Sequence, residues 1–368
     1  MTASMVPATV EPAATAGRHR PSAAGWGLRG VVWAALAYLV LVFPLGRPAT
    51  TVILYTTAVC YGIVALSLNV LLGYVGQISL GHQAFVGVGA FTSAYVVTEQ
   101  GQSFWVGVLA AAAIGGGQAL VLGGVSLRVR GLYFALITLS YGLVAQDNIF
   151  QIERLTGGGA GQPAPKPQGF ETEWRYYYLC VGFLAVVLYL DWRMMRSKSG
   201  RALLALRENP RVAATFGINV RLATLFAFVV SGVFAGLGGA LIAHNDTFVS
   251  PDPWNFNLAL VFVIMTVVGG LRSRPGLVIG GAFFALLPYL IEQIPGFDSL
   301  LEAIPAPRDL SPLIAPLVIG PLLLIVNLIR FPGGIGQQLR PITRWLAGHR
   351  FDLHDRGLKE VQITDVRA

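Results

Sequence analysis

The sequence predicts an all-α integral membrane protein with about ten transmembrane helices, on three observations. Of its 368 residues 54% are hydrophobic and 12% charged, against about 25% charged in an ordinary soluble domain. Ten apolar stretches approach the roughly 20 residues that cross a bilayer. Placing the first residues in the cytosol and alternating through ten crossings leaves only Arg47, Arg154, Lys166, Arg175 and Arg308 outside, of 26 basic residues. Cytosolic segments are enriched in Lys and Arg, so this asymmetry selects the arrangement.

Taken in order, the apolar runs lie near 30–46, 51–72, 81–98, 104–126, 131–150, 175–192, 220–243, 256–270, 276–294 and 311–330. Before them, residues 1–30 are rich in Ala, Pro, Ser and Thr and read as a disordered cytosolic tail. The membrane domain spans 31–335, and 336–368 form a second polar cytosolic tail. Nine or eleven crossings would move either the basic segment at 197–219 or the C-terminal arginine cluster outside. Acidic residues such as Glu99, Glu171, Asp246 and Asp298 fall outside, opposite in sign. Small residues recur every four positions, as in Ala111, Gly115, Ala119 and Gly123, or Gly232 and Gly236, a spacing that lets helix backbones approach in lipid. Cys60 and Cys180 sit inside apolar runs and read as buried thiols, with neither a disulfide framework nor a metal site.

Two polar stretches interrupt this pattern. From Leu68 to Phe85, glycines at 73, 76 and 81 break the helix where Asn69, Gln77, Ser79, His82 and Gln83 are concentrated. Non-helical backbone at a membrane is tolerated only where protein or a water-filled cavity satisfies it. The stretch therefore reads either as a re-entrant or gating segment beside a path, or as a polar turn with His82 bonded locally.

The second interruption, at 197–219, reads as two short helices at a corner. Ser199 is placed to cap the first helix, and Asn209 followed by Pro210 to start the second. Gly217 can take the left-handed conformation that ends it. Leu203, Leu206, Ala213 and Phe216 are expected to offer an apolar face, with Arg201, Arg207 and Glu208 at its rim. Such an elbow suits docking to a cytosolic partner; the competing reading is a solvated basic loop.

The run Gly76-Gln77-Ile78-Ser79-Leu80-Gly81-His82-Gln83-Ala84-Phe85 resembles the signature of permease subunits, M type, from branched-chain (hydrophobic) amino acid ABC importers. In order, Leu127–Ala135, Thr156-Gly157-Gly158, Gly200-Arg201-Ala202-Leu203, Arg207-Glu208, Gly217–Val220, Ala235–Leu241 and Val267–Leu271 are similar to further segments of that family, over about residues 50–335. The resemblance implies a fold like the type II, vitamin B12 importer-like permeases. It implies a second permease subunit (a heterodimer), two cytosolic ABC ATPases and an extracytoplasmic binding protein, in a bacterial cytoplasmic membrane. The elbow would then be the ATPase-coupling segment, through Gly200, Arg201, Leu203, Leu206, Arg207, Glu208, Ala213, Phe216 and Gly217. Asn69, Gln77, Ser79, His82 and Gln83 would border the path. No cofactor is expected on this chain, ATP being used by its partners. The chain departs from the family pattern at Asn209-Pro210-Arg211, at Arg272 and Arg274, and at the prolines 163, 165 and 167.

Other functions fare worse on the residues themselves. An ion-coupled transporter holds an ionisable group mid-membrane, whereas Asp147, Asp191 and Glu292 lie at span ends. The histidines are scattered without metal-ligand spacing. None of the three lysines, Lys166, Lys198 and Lys359, follows the glycine-rich phosphate-loop spacing. Basic residues beside spans rather than on a polar domain argue against nucleic acid. A permease for urea, an amide or another small solute remains the nearest alternative.

Overall fold

The computed structural model describes residues 23–42, 44–129, 131–292 and 333–346. In order these form α1 (Ala23–Leu41), α2 (Ala49–Asn69), α3 (His82–Thr98), α4 (Phe104–Ser126), α5 (Leu132–Asp147), the single turn α6 (Glu153–Thr156), α7 (Glu173–Arg196), α8 (Lys198–Glu208), α9 (Pro210–Thr215), α10 (Val220–Asp246), α11 (Phe256–Gly269), α12 (Arg274–Glu292) and α13 (Gly334–Leu346). Nine of the ten expected apolar runs fall on a helix, and the tenth, 311–330, lies outside the described residues. Among the described residues four helical segments are long and apolar enough by themselves to cross a membrane: Ala49–Val75, Phe104–Ser126, Glu173–Arg196 and Val220–Asp246. Helices α3, α5 and α11 are shorter, at 17, 16 and 14 residues.

The chain divides into two units, 1–38 with 340–368, and 39–339. In the first, helix α1 begins at Ala23, inside the stretch expected to be a disordered tail. Alanine and leucine favour helix, and a single arginine does not end one. The Arg29 guanidinium lies 5.3 Å from the ring centroid of Trp345, a cation–π arrangement. Helix α13 likewise occupies part of the expected C-terminal tail. The remainder of both tails lies outside the described residues.

In the second unit α2 and α10 form the centre. Their apolar windows are 78% and 67% buried, against 44% for α4 and 28% for α7. Large side chains such as Leu109 and Val121 on α4 and Leu132 and Tyr133 on α5 face outward, as lipid contact requires. The small residues explain how α10 is surrounded. Gly232 and Gly236 place its backbone directly against that of Ala111 and Gly115 on α4, while Gly239 meets the backbone of Val86 on α3. Without a hydrophobic driving force in lipid, such close approach is the main source of helix association. Across the α2–α10 contact, Ser67 Oγ donates to Ser231 O at 2.7 Å and Ser231 Oγ returns the bond to Ser67 O at 2.9 Å.

At one end of the unit the 156–172 connection is tied down. Thr156 Oγ1 donates to Phe150 O and Ile152 O, both at 2.9 Å, and accepts from Gly158 N. Two-residue strands β1 (Gln162–Pro163) and β2 (Phe248–Val249) pair antiparallel. His244 is buried beneath them: Nδ1 donates to Pro165 O at 2.7 Å, and Nε2 accepts from Ser93 Oγ at 2.9 Å. A carbonyl can only accept, which assigns the tautomer.

Candidate gate and coupling elbow

The expected break after α2 is present. Asn69 is followed by a π-helical turn, Val70–Val75, and Gly76 ends it at φ +77°. π-Turns inside helices concentrate at functional sites. Residues 76–81 are non-helical, and α3 resumes at His82. The structure brings Asn69, Gln77, Ser79, His82 and Gln83 to this one place and buries all five. The first, Asn69, accepts from the Arg272 backbone N–H at 2.8 Å through Oδ1. His82 Nε2 pairs with Ser67 Oγ at 2.8 Å. Because Ser67 directs its own proton to Ser231 O, the imidazole is the donor and Nδ1 is left as an acceptor.

Each of the five keeps at least one buried polar atom without a hydrogen-bond partner in this chain: Asn69 Nδ2, Gln77 Oε1, Ser79 Oγ, His82 Nδ1 and both polar atoms of Gln83. Most buried polar groups in proteins are paired, and an unpaired one costs about 1–3 kcal/mol. Six such atoms on five residues lie together at this one break. His82 is partnered by Ser67, fifteen residues away in sequence, not by its own turn.

The elbow forms as two helices at a corner, with one end reassigned. Ser197, not Ser199, occupies the N-cap of α8, and its hydroxyl donates to Met194 O at 2.6 Å. The second helix starts as expected: Asn209 Oδ1 accepts from Arg211 N at 3.0 Å and Val212 N at 3.3 Å, with Pro210 at the first position. It ends in a Schellman motif, Gly217 N donating to Ala214 O and Ile218 N to Ala213 O, with Gly217 at φ +79°.

The apolar face needs a larger correction. Leu203, Leu206 and Ala213, expected to face a partner, are buried against α7, α10 and the π-turn of this same chain. Gly200 is buried against the backbone of Met194 and Met195. An amphipathic short helix beside a bundle buries its apolar stripe in that bundle first, because that surface is always available. What remains outward is Phe216, 81% exposed, with Arg201, Glu208 and Gly217 also exposed. Arg207 is half-buried and donates through Nη1 to Leu72 O at 3.2 Å and to Gly73 O. Burial first, then the positive charge of Arg272, lowers its pKa; Glu208 opposes this.

Sequence reasoning missed the groups that join these two stretches. Buried Asp191, on α7, accepts through Oδ2 from Arg274 Nε at 2.5 Å and from the Tyr74 hydroxyl at 3.0 Å. Arg272 Nε donates to Gly73 O at 3.1 Å. Their signal was the departure of Arg272 and Arg274 from small residues, and its partners were unreadable because they lie 83 and 199 positions away.

With this geometry in place, comparison with known proteins is direct. Residues 50–326 match the family described as branched-chain amino acid transport system / permease component. The high-affinity branched-chain amino acid transport system permease protein LivM of Escherichia coli (strain K12) is 28% identical over 295 residues, 73% of this chain and 69% of that protein. Its Salmonella typhimurium counterpart is 27% identical over the same shares. The autoinducer 2 import system permease protein LsrC of Enterobacter sp. (strain 638) is 29% identical over half of each chain. No solved structure matches.

Proposed function

Since this chain belongs to the family of permease components of branched-chain amino acid transport systems, we propose that it forms half of a translocation path for such an amino acid. It is a permease subunit of an ABC importer. Its counterpart is a second, different permease subunit; two cytosolic ATPases drive the cycle, an extracytoplasmic binding protein delivers the cargo, and this chain binds no nucleotide or other cofactor itself. The observation that carries the path is the break at 76–81, where five buried polar residues keep unpaired atoms beside a π-turn. The exposed Phe216 and Arg201 of the elbow supply the ATPase-facing surface. The test is the assembled complex in proteoliposomes, with ATP on the ATPase side, binding protein on the other, and radiolabelled leucine, isoleucine and valine. ATP-dependent uptake of at least one is expected; uptake of none overturns the cargo.

Ten crossings with both termini in the cytosol of a bacterial cell remain the topology of this reading. In its support, segments 73–80, 193–219 and 271–275, all placed in the cytosol by alternating through ten crossings, meet at one end through Arg207, Arg272 and Arg274. A reporter fused after Lys166 is expected to read external and one after Lys198 internal. An internal signal at Lys166 removes the topology.

Ser79 tests the path itself. Its side chain is 1% exposed, so Ser79→Cys should resist an aqueous thiol reagent in the resting complex and react in at least one nucleotide state. Inertness in every state, with transport intact, would show that the polar cluster only packs.

A further inference from the structure

Helix α2 with its π-turn ends on carbonyls that no backbone N–H of the helix can reach. Two side chains from different elements cap them. Arg207, on α8, donates to Leu72 O and Gly73 O, and Arg272, in the α11–α12 turn, donates to the same Gly73 O. Both positive charges sit at the negative end of the helix dipole, where cations are favoured. Arg272 is further fixed by its backbone N–H on Asn69 Oδ1. Its guanidinium also lies 3.6 Å from Glu208 of α8, a pair with 39% and 78% exposed side chains. Screening by water makes that ion pair weak, so the carbonyl bonds are the stronger link.

The position also stores backbone strain. Arg272 adopts φ +66°, a left-handed conformation that non-glycine residues rarely take. Gly73 faces Asn69 so closely that a Cβ there would strike the Asn69 side-chain oxygen and displace it from Arg272. Glycine would take this conformation without strain. Arginine there accepts the strain, and what it adds is the reach of a guanidinium to Gly73 O.

We propose that Arg207 and Arg272 form a strut that transmits displacement of the elbow to the π-turn of α2, and so to the break at 76–81. The strut rests on the reading above that the elbow meets an ATPase. Arg272 is thus a positioning residue: it touches no cargo and acts through the Gly73 carbonyl. Moving α8 carries Arg207 and, through the shared carbonyl, pulls against a turn anchored by Arg272. Without the Arg272 guanidinium the Gly73 carbonyl is held by Arg207 alone.

The decisive variant is Arg272→Gly, because glycine relieves the positive φ and keeps the backbone N–H on Asn69 while deleting the guanidinium. In the reconstituted complex, leucine uptake and ATP hydrolysis are measured together. Assembly, thermal midpoint and hydrolysis should stay close to wild type. Uptake per ATP should fall by about tenfold, the scale of losing one hydrogen bond from a charged donor; Arg272→Lys should recover part of it. Unchanged uptake per ATP overturns the strut, and so does loss of assembly, which would make Arg272 purely structural. A wild-type complex that hydrolyses ATP without taking up any branched-chain amino acid instead overturns the underlying transport reading, so the two failures are distinguishable.

Discussion

Gly236→Leu is expected to abolish recovery of folded protein. On α10, Gly236 lies against the backbone of Ala111 on α4, so even a Cβ meets a carbonyl rather than a side chain that could rotate away. Overpacking a core usually costs about 1–3 kcal/mol; here two backbones must separate along a whole contact, and the cost should exceed about 3 kcal/mol on that same scale. Gly232 sits on the same stripe against Gly115, which leaves the helix pair no adjacent site at which to slide. The matched control is Gly117→Leu on α4, where an added Cβ meets nothing within 4 Å. Size-exclusion profiles of detergent extracts should show the monodisperse peak lost for Gly236→Leu and retained for Gly117→Leu. Equal recovery of both would mean that α4 and α10 do not pack through these glycines.

The second large effect is expected at Asp191. Its side chain is fully buried and holds Arg274, whose own side chain is 29% exposed, together with the Tyr74 hydroxyl. Removing one partner of a buried ion pair costs about 3–5 kcal/mol, because the other charge is left desolvated. Replacing both with apolar groups of similar volume is often neutral. Asp191→Ala should therefore lower thermal stability in detergent strongly. The double variant Asp191→Leu with Arg274→Met should recover most of it while still losing the tie between α7, α12 and the end of α2. If Asp191→Ala is nearly silent, Arg274 finds water and the pair is a surface contact.

The polar break and the elbow were both legible because their chemistry is local. Glycines that take positive φ, an Asn-Pro helix start and a polar cluster between apolar runs each act within a few residues of themselves. The start of α8 was misplaced by two residues: Ser197 holds the N-cap position, with its hydroxyl turned back to Met194 O rather than capping a backbone N–H. The orientation of the elbow's apolar face was unreadable for a deeper reason. Amphipathicity says that a face will be buried but not by what, and Leu203 and Leu206 turned into their own chain.

By itself the sequence determined that this is a helical membrane protein, where its helices break, and which family it resembles. Those follow from hydropathy, from the geometry of glycine and proline, and from residue order. Tertiary structure alone decided that the stripe on α4 packs against the one on α10, and that Ser67 rather than a neighbour receives His82. It alone brought two arginines 65 positions apart in sequence, 207 and 272, to a single carbonyl. Partner choice across such separations depends on the simultaneous burial of several helices, and no local pattern encodes it.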